Sequence, residues 1–236
     1  MKTVIHRAET RGQADHGWLK AKHSFSFAHY FNPTRMNFGA LRVFNDDLIA
    51  PSMGFGTHPH DNMEIVSIIL NGRIRHKDSM GNVAEITKDE IQVMSAGTGI
   101  THSEFNADTK ETLNLLQLWV MPKEYDIKPR YDQVKLNPED RKDKIQTIVA
   151  PDVEGAMWIN QDAYFSRASL STGKSIDYKM FKEGNGVYVF VIEGTISTND
   201  TDLKKRDAIG VWESDKVNIS ATADAELLFV EVPMNY

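Results

Sequence analysis

The sequence of 236 residues contains no cysteine, which excludes a disulfide framework, a cysteine-ligated zinc site and a thiol nucleophile. No apolar run approaches the length of a membrane span, and the N-terminal segment lacks the apolar core of a signal peptide. The net charge of −6 provides no basic footprint for nucleic acid. We therefore expect a cytoplasmic globular protein with no direct nucleic-acid partner and no membrane partner.

Histidine is absent from the second half of the chain, because all eight histidines lie at or before position 102. His58 and His60 are two residues apart, and so are His102 and Glu104. Residues at this spacing point to one face of a β-strand, so two adjacent strands would direct all four side chains at one point. Three imidazoles and one carboxylate suit a divalent first-row metal. The sequence therefore predicts a metal site in the first half of the chain.

Two further residues of the first half have roles that spacing alone does not decide. Glu64 shares the parity of His58 and His60, so a continuous strand would direct it inward as well. It could be a metal ligand, a partner of a ligand imidazole or a buried structural carboxylate. His76 has no partner at a useful spacing, and we expect it in a turn at the surface.

Short β-branched and apolar segments recur about every ten residues, separated by glycine, asparagine and aspartate. This pattern is typical of an antiparallel all-β sandwich or barrel. Residues 22–31 alternate polar and aromatic side chains, which predicts a strand with Phe25 and Phe27 on one face. Asn137 followed by Pro138 predicts the start of a short helix.

A charged, proline-containing segment over residues 121–144 predicts a boundary between two domains, residues 1–135 and 136–236. An internal repeat supports this division, since the hairpin at Gly72 resembles the hairpin at Gly194. Extending the repeat without further gaps places four residues that are poor replacements for a metal-ligand set opposite the histidine and glutamate pairs. They are Met180, Lys182, Ser220 and Thr222. We therefore expect no metal in the second domain.

Several stretches of the first half resemble the pirin family of the cupin superfamily, and the second half more loosely resembles the bacterial quercetinase-like branch. The paired motifs His58-Pro59-His60 and His102-Ser103-Glu104 are the most specific part of this resemblance. The other matching stretches are His23-Ser24-Phe25-Ser26-Phe27, Leu41-Arg42-Val43-Phe44-Asn45-Asp46-Asp47, Gly54-Phe55-Gly56-Thr57 and Met94-Ser95-Ala96-Gly97-Thr98-Gly99-Ile100.

The resemblance implies an all-β fold of two tandem cupin-type jelly-roll barrels with few short helices. It also implies one divalent transition metal per chain, held by His58, His60, His102 and Glu104. Iron is the metal usual in the family, with Zn, Mn, Ni, Co and Cu as alternatives. Glu64 matches the glutamate of the general cupin motif, which pirin-like proteins do not use as a ligand.

Two functions follow from the resemblance. The first is a quercetin 2,3-dioxygenase-like enzyme that cleaves a flavonol or a similar planar enol with O2, with Glu104 or Glu64 as the base that accepts the substrate proton. The second is a pirin-like iron-binding regulatory module that interacts with a protein partner and has no turnover. A different small-molecule enzyme is a third alternative, because cupin folds host many chemistries.

Overall fold

The computed structural model describes residues 1–236, which form 21 β-strands and two short 3-10 helices, Ala8–Thr10 and Pro138–Arg141. Asn137 caps the second helix by accepting a hydrogen bond from the backbone N–H of Glu139, as its sequence predicts. None of the helices is long and apolar enough to cross a membrane. The first twelve strands are β1 (Lys2–His6), β2 (Gly12–Asp15), β3 (Leu19–His23), β4 (Leu41–Ile49), β5 (Gly54–His60), β6 (Glu64–Asn71), β7 (Arg73–Asp78), β8 (Val83–Thr87), β9 (Glu90–Ser95), β10 (Ile100–Asn106), β11 (Leu113–Val120) and β12 (Arg130–Lys135).

The remaining strands repeat the arrangement of the first set. They are β13 (Gln146–Val149), β14 (Tyr164–Leu170), β15 (Ser175–Lys179), β16 (Asn185–Glu193), β17 (Thr195–Thr198), β18 (Thr201–Lys204), β19 (Ala208–Trp212), β20 (Lys216–Ala221) and β21 (Ala225–Pro233). The first half has sheets ordered β12-β9-β6-β11-β4-β3-β2 and β5-β10-β7-β8. The second half has β1-β19-β16-β21-β14-β13 and β15-β20-β17-β18. The matching orders confirm two tandem cupin barrels.

The largest apolar cluster lies between the two barrels rather than inside either of them. It contains 25 buried residues, contributed by outward faces of the large sheets of both domains. Phe44 of β4 packs against Phe190 of β16, with ring centroids 4.6 Å apart. Burial of this much apolar surface favours one rigid unit over two independently moving domains.

Strand β1 departs from the predicted division of the chain at residue 135. It pairs antiparallel with β19, from Lys2 opposite Trp212 to His6 opposite Ala208, and so forms the edge of the second domain's large sheet. Nothing in the local sequence reveals this pairing, because the partner strand lies about 200 residues away. The N-terminal segment therefore ties the second barrel to the first.

The predicted strand over residues 22–31 is wrong beyond His23, where β3 ends. The chain then turns, and Phe27 and Tyr30 form an isolated bridge. Phe25 is buried in the interface between the barrels, whereas Phe27 is half-buried and packs against Trp119. The alternation of aromatic and polar residues therefore marks a folded loop, in which two aromatic rings serve different parts of the structure.

The predicted register of the repeat is also wrong at the strands that carry the candidate ligands. In the first domain His58 lies directly opposite His102, but Ser220 lies opposite Ser175. The backbone N–H of Met180 donates to Asp215, at the other end of β20. The gap-free extension fails because the strand β15 and the loops beside it differ in length from their counterparts.

Candidate metal centre

Strands β5 and β10 bring the two predicted ligand pairs together. In their antiparallel register His102 lies opposite His58, and a β-bulge follows between His102 and Glu104. Gly54 lies just beyond this bulge, opposite Phe105, where a β-carbon would come within 2.2 Å of the Glu104 carbonyl oxygen. A glycine is therefore required for β5 to approach β10 closely enough, and the bulge re-aims the end of the strand.

Two turns, one after β5 and one before β10, hold the adjacent ends of these strands in position. Asn62, which follows β5, has a φ of 43°, and its backbone N–H donates to the Gly97 carbonyl at 2.9 Å. Gly97 itself has a φ of 48°, and a β-carbon there would meet the Ile127 carbonyl oxygen at 2.0 Å. A glycine-rich turn therefore precedes β10, and the segment after β11 packs against it.

The structure places the three predicted histidines in one cluster. The ring centroids are separated by 4.9 Å between His58 and His60, 4.5 Å between His58 and His102, and 4.9 Å between His60 and His102. Their ligand nitrogens all lie within 4.8 Å of one another. The Nδ1–H of His58 donates to the Gly56 carbonyl at 2.8 Å, which leaves its Nε2 free as an acceptor.

His102 is the most unusual of these side chains, because both of its ring nitrogens are buried and have no hydrogen-bond partner. An unpaired buried polar atom costs on the order of 1–3 kcal/mol, so such atoms normally have a partner. Burial, reinforced by the neighbouring His58 and His60, lowers the pKa of His102 to about 3. Burial and His58 likewise lower the pKa of His60 to about 4. Both imidazoles are therefore neutral at pH 7 and available as metal ligands.

Glu104 lies deeper in the barrel and is 2% exposed. Its Oε2 accepts a hydrogen bond from Gln117 Nε2 at 3.0 Å, while its Oε1 has no partner. Burial raises the pKa of Glu104 to about 7, against the opposing effect of the Gln117 hydrogen bond. The carboxyl group is thus poised between its protonated and ionised forms near neutral pH.

The prediction that His76 lies in a surface turn is wrong, because the side chain is fully buried on β7. It lies opposite Glu104 in the β7–β10 register, and its ligand atom lies within 4.8 Å of those of His102 and Glu104. Its Nε2 pairs with Asp78 Oδ2 at 3.1 Å, and its ring stacks on Tyr131 at 4.7 Å. The strand alternates buried and exposed residues, so the period-two pattern of Arg73–Asp78 carried the signal that sequence analysis missed.

A row of polar residues crosses the large sheet behind this cluster. Neighbouring strands place Asn45 opposite Gln117, Gln117 opposite Ser67, and Ser67 opposite Gln92. The row reaches the cluster at two points, since Gln117 donates to Glu104 and Gln92 Nε2 lies 3.3 Å from His76 Nδ1. Ser67 in turn donates to Gln117 Oε1 at 2.6 Å, which orients the amide. Through these two contacts the row orients Glu104 and His76 beside the three histidines.

The second barrel has apolar residues where the first has this polar row. Its equivalent strands align Phe229 with Val189 and Val189 with Ile209. All three residues belong to a cluster of 16 buried apolar residues, in which Phe229 stacks on Tyr178 at 4.8 Å. The interior of the second barrel is therefore filled by side chains, and both groups of potential metal ligands lie in the first barrel.

Glu64 lies apart from both groups of potential ligands. The chain bends after His60, and Glu64 begins β6 in the other sheet, so the two residues do not share a continuous strand. Its Oε2 accepts hydrogen bonds from Ser95 Oγ at 2.8 Å and from the Asn160 backbone N–H at 3.1 Å. Among the roles left open by the sequence, these contacts favour a buried structural carboxylate that links the first barrel to the segment before β14.

We expect Glu64→Gln to keep its metal and to change the pH dependence of stability. Burial raises the pKa of Glu64 to about 7 from an ordinary value of 4.5, so the protonated form is favoured in the folded protein. Ionisation therefore costs the wild type stability as pH rises through this range, whereas glutamine avoids that cost. At pH 8 the variant should be more stable by on the order of 1–3 kcal/mol, and at pH 5 the two should be similar. Urea unfolding at both values tests this, and a difference independent of pH would contradict it.

The donor set of this cluster fits a transition metal. The histidines offer imidazole nitrogens, and Glu104, which groups with His102 and His76, offers a carboxylate beside them. One ring nitrogen of neutral His102 and Oε1 of Glu104 are unpartnered atoms of the kind that bind such an ion. The partial exposure of His58 and His60 gives a metal ion access from solvent, whereas His102 and Glu104 are buried. The geometry therefore supports a site for one transition metal that opens on its His58 and His60 side.

Known proteins resemble this chain over nearly its whole length. Residues 4–120 match the Pirin family model, and residues 147–232 match a model described as the quercetinase C-terminal cupin domain. A quercetin 2,3-dioxygenase of Escherichia coli K12 is 40% identical over 230 residues, covering 97% of this chain and 98% of that protein. The chain belongs to the pirin family. A pirin-like protein of Caulobacter vibrioides is 41% identical over 222 residues, covering 93% of this chain and 95% of the relative.

A solved structure of a pirin-family relative also matches over nearly the whole chain. The bacterial pirin YhhW from Escherichia coli, in complex with nickel(II), superposes with a TM-score of 0.93 at 38% identity. The match covers 98% of this chain and 99% of the relative. A relative that binds a transition metal and the cluster found here together support a single metal in this pirin-family protein.

Proposed function

We propose that this protein is a metal-dependent dioxygenase that acts on a flavonol or a similar planar enol. The observation that carries the proposal is the half-open cluster of His58, His60 and His102 beside a carboxylate with one free oxygen. Relatives at about 40% identity are named quercetin 2,3-dioxygenase, some of them as putative proteins, and this supports the same reaction class. Iron is the metal proposed, with nickel as an alternative supported by the complex of the relative.

His58, His60, His102 and Glu104 would hold the metal, which when bound supplies Lewis acidity and a site for oxygen chemistry. The Glu104 carboxylate, whose Oε1 has no partner in the protein, would also accept the proton of the flavonol 3-hydroxyl. In the metal-free protein burial raises the pKa of Glu104 to about 7, so its carboxyl group holds a proton more readily than an exposed one. Glu64 is engaged with Ser95 and Asn160, so we assign the role of base to Glu104 rather than to Glu64.

Aromatic side chains beside the half-buried histidines would orient a flat substrate. Trp119 meets His60 edge-on with ring centroids 4.8 Å apart, and Phe27 packs on Trp119 at 5.4 Å. Both aromatic residues are half-buried, so part of each ring remains accessible. Aromatic surfaces of this kind bind planar rings and exclude water from the reacting atoms.

Oxygen uptake with a matched pair of substrates tests the proposed function. Metal-replete protein should consume O2 with quercetin and should leave untouched the corresponding flavone that lacks the 3-hydroxyl, because that flavone has no 3-hydroxyl proton to give to Glu104. Metal removal should abolish uptake, and iron should restore it. No uptake with quercetin or with other 3-hydroxyflavones would contradict the dioxygenase proposal and favour the binding module without turnover.

Metal binding should release a proton from Glu104 below neutral pH. Because burial raises its pKa to about 7, the metal-free protein carries most of this proton at pH 6, and coordination requires the ionised form. Wild type should release about one proton more than Glu104→Gln at pH 6, and the difference should vanish by about pH 8.5. Calorimetry in buffers of different ionisation enthalpy measures this release. Glu64→Gln is the matched control, since the pKa of Glu64 is raised to the same value of about 7, and its release should equal that of wild type.

A further inference from the structure

A cavity of about 310 Å³ lies between the two barrels, and its lining is rich in cationic side chains. Residues from the ends of β6 and β11 in the first domain and from β14, β16 and β21 in the second form its walls. Its charged lining residues are Lys88, Arg141, Arg167, Arg206, Glu193 and Glu226. Four cations thus face two carboxylates in a protein whose net charge is −6.

The arginines of this cavity are buried with few hydrogen bonds. Arg141 is 4% exposed, and its only hydrogen bond joins Nη2 to Asp89 Oδ1 at 2.5 Å. Arg167 is 5% exposed, and its Nη2 donates to Glu226 Oε2 at 3.3 Å. Three of their nitrogens have no hydrogen-bond partner, namely Nε and Nη1 of Arg141 and Nε of Arg167. A guanidinium offers five donors, so each of these groups retains unused capacity for an anion.

The carboxylates near the cavity pair with these cations but do not use all of their donors. Glu226 is shared, because its Oε2 lies 3.7 Å from Arg141 Nε as well as 3.3 Å from Arg167 Nη2. Glu193 is exposed and pairs mainly with Lys205 at 2.8 Å, outside the cavity lining. Asp89 pairs with Arg141 and Asp46 with Arg206, so what remains unmet at the cavity is the hydrogen-bonding capacity of buried guanidinium nitrogens, which is costly to leave unused.

Arg206 extends the positive wall on the side of the first domain. Its Nη2 donates to Asn114 Oδ1 at 3.1 Å, its Nε lies 3.3 Å from Asp46 Oδ2, and its Nη1 is buried without a partner. Lys88, in the turn before β9, is exposed at the rim. Cations from both domains therefore converge on one partly open cavity.

We propose that this cavity binds a small anion with two or more negative charges, such as a phosphate or a dicarboxylate. Bidentate contacts from guanidinium groups suit both chemistries. A bound dianion would pair with donors of Arg141, Arg167 and Arg206 and would link the two barrels at the end of the interface. The candidate metal cluster uses none of these residues, so the anion site is independent of the metal and of the proposed reaction.

Titration of the metal-replete full chain with inorganic phosphate and with malonate, at constant ionic strength set by sodium chloride, tests the site. We expect a dissociation constant on the order of 1 mM and a rise of the thermal unfolding midpoint by about 3 °C at 10 mM ligand. Arg167→Met should weaken binding at least about tenfold, and Lys88→Met, which removes an exposed charge, about threefold. Arg75→Met is the matched control, because Arg75 pairs with Glu85 on an outer strand, and it should bind as wild type does.

The outcomes separate the proposal from a purely structural role of the arginines. A response to both anions identifies a general dianion site, and a response to phosphate alone identifies a tetrahedral oxyanion site. No binding of either anion at 20 mM would overturn the proposal. Binding that persists unchanged in Lys88→Met and Arg167→Met would overturn it as well. If Arg167→Met fails to fold, Lys88→Met alone decides between these results.

Discussion

Replacing His102 with alanine is expected to remove both bound metal and oxygen-consuming activity. His102 belongs to both groups of potential ligands, the one with His58 and His60 and the one with His76 and Glu104. No other residue lies in both groups, so its loss leaves neither intact. Loss of a residue that merely orients a ligand costs about 10–100-fold in metal affinity, and the loss of a ligand should exceed about 100-fold. Metal analysis after dialysis, together with oxygen uptake on quercetin, measures both effects.

The fold of this variant should survive. Alanine at position 102 removes two buried nitrogens that have no hydrogen-bond partner in the protein, so no other side chain loses a partner. His16→Ala provides the matched control, because His16 is exposed and distant in sequence from the cluster, and it should keep full metal content. A folded His102→Ala protein that retains one metal per chain would contradict the assignment of His102 as a ligand.

Replacing Phe44 with alanine should destabilise the whole protein by about 3–5 kcal/mol. Phe44 is fully buried at the interface between the barrels, 4.6 Å from the Phe190 ring and 5.6 Å from the Tyr188 ring. Alanine would leave a cavity that these rings from the second domain cannot close without losing their own contacts. Because total stability is typically about 5–15 kcal/mol, this loss is a large fraction of it.

The urea unfolding curve of Phe44→Ala tests whether the two barrels unfold together as well as how much Phe44 contributes to stability. If the interface couples the barrels, urea should unfold both in one transition that shifts as a whole for Phe44→Ala. Phe31→Ala is the control, since Phe31 is 72% exposed, and its stability should change by less than about 0.5 kcal/mol. A second transition in which the C-terminal barrel keeps its wild-type midpoint would show that the two domains unfold separately.

The fold was predictable from the sequence because its signals are local. Short apolar strands, turn residues between them and the repeated hairpins at Gly72 and Gly194 predict paired β-barrels, and the sheet orders of the two halves confirm them. A spacing of two likewise fixes the strand face on which His58 and His60 lie. Their approach to His102 also requires β5 to lie beside β10, and it was predictable only because both motifs carry metal-ligating side chains at the same spacing.

Features that depend on pairing between distant strands were not predictable in this way. His76 meets Glu104 only because β7 lies beside β10 in one particular register. The polar row from Asn45 to Gln92 exists only when four strands are aligned, and none of its members is distinctive alone. A shift of one residue in any strand would move its side chain to the other face, so the row is a property of the assembled sheet.

The pairing of β1 with β19 has a consequence for synthesis of the chain. The first strand leaves the ribosome early, but its partner, Ala208–Trp212, follows only about 200 residues later. At a translation rate of about 5–20 residues per second, β1 must wait roughly 10–40 s for that partner. During this interval the strand is unpaired and within reach of other nascent chains. The basic and polar residues on β1, Lys2, Thr3 and His6, would limit its pairing with other chains while the second barrel is made.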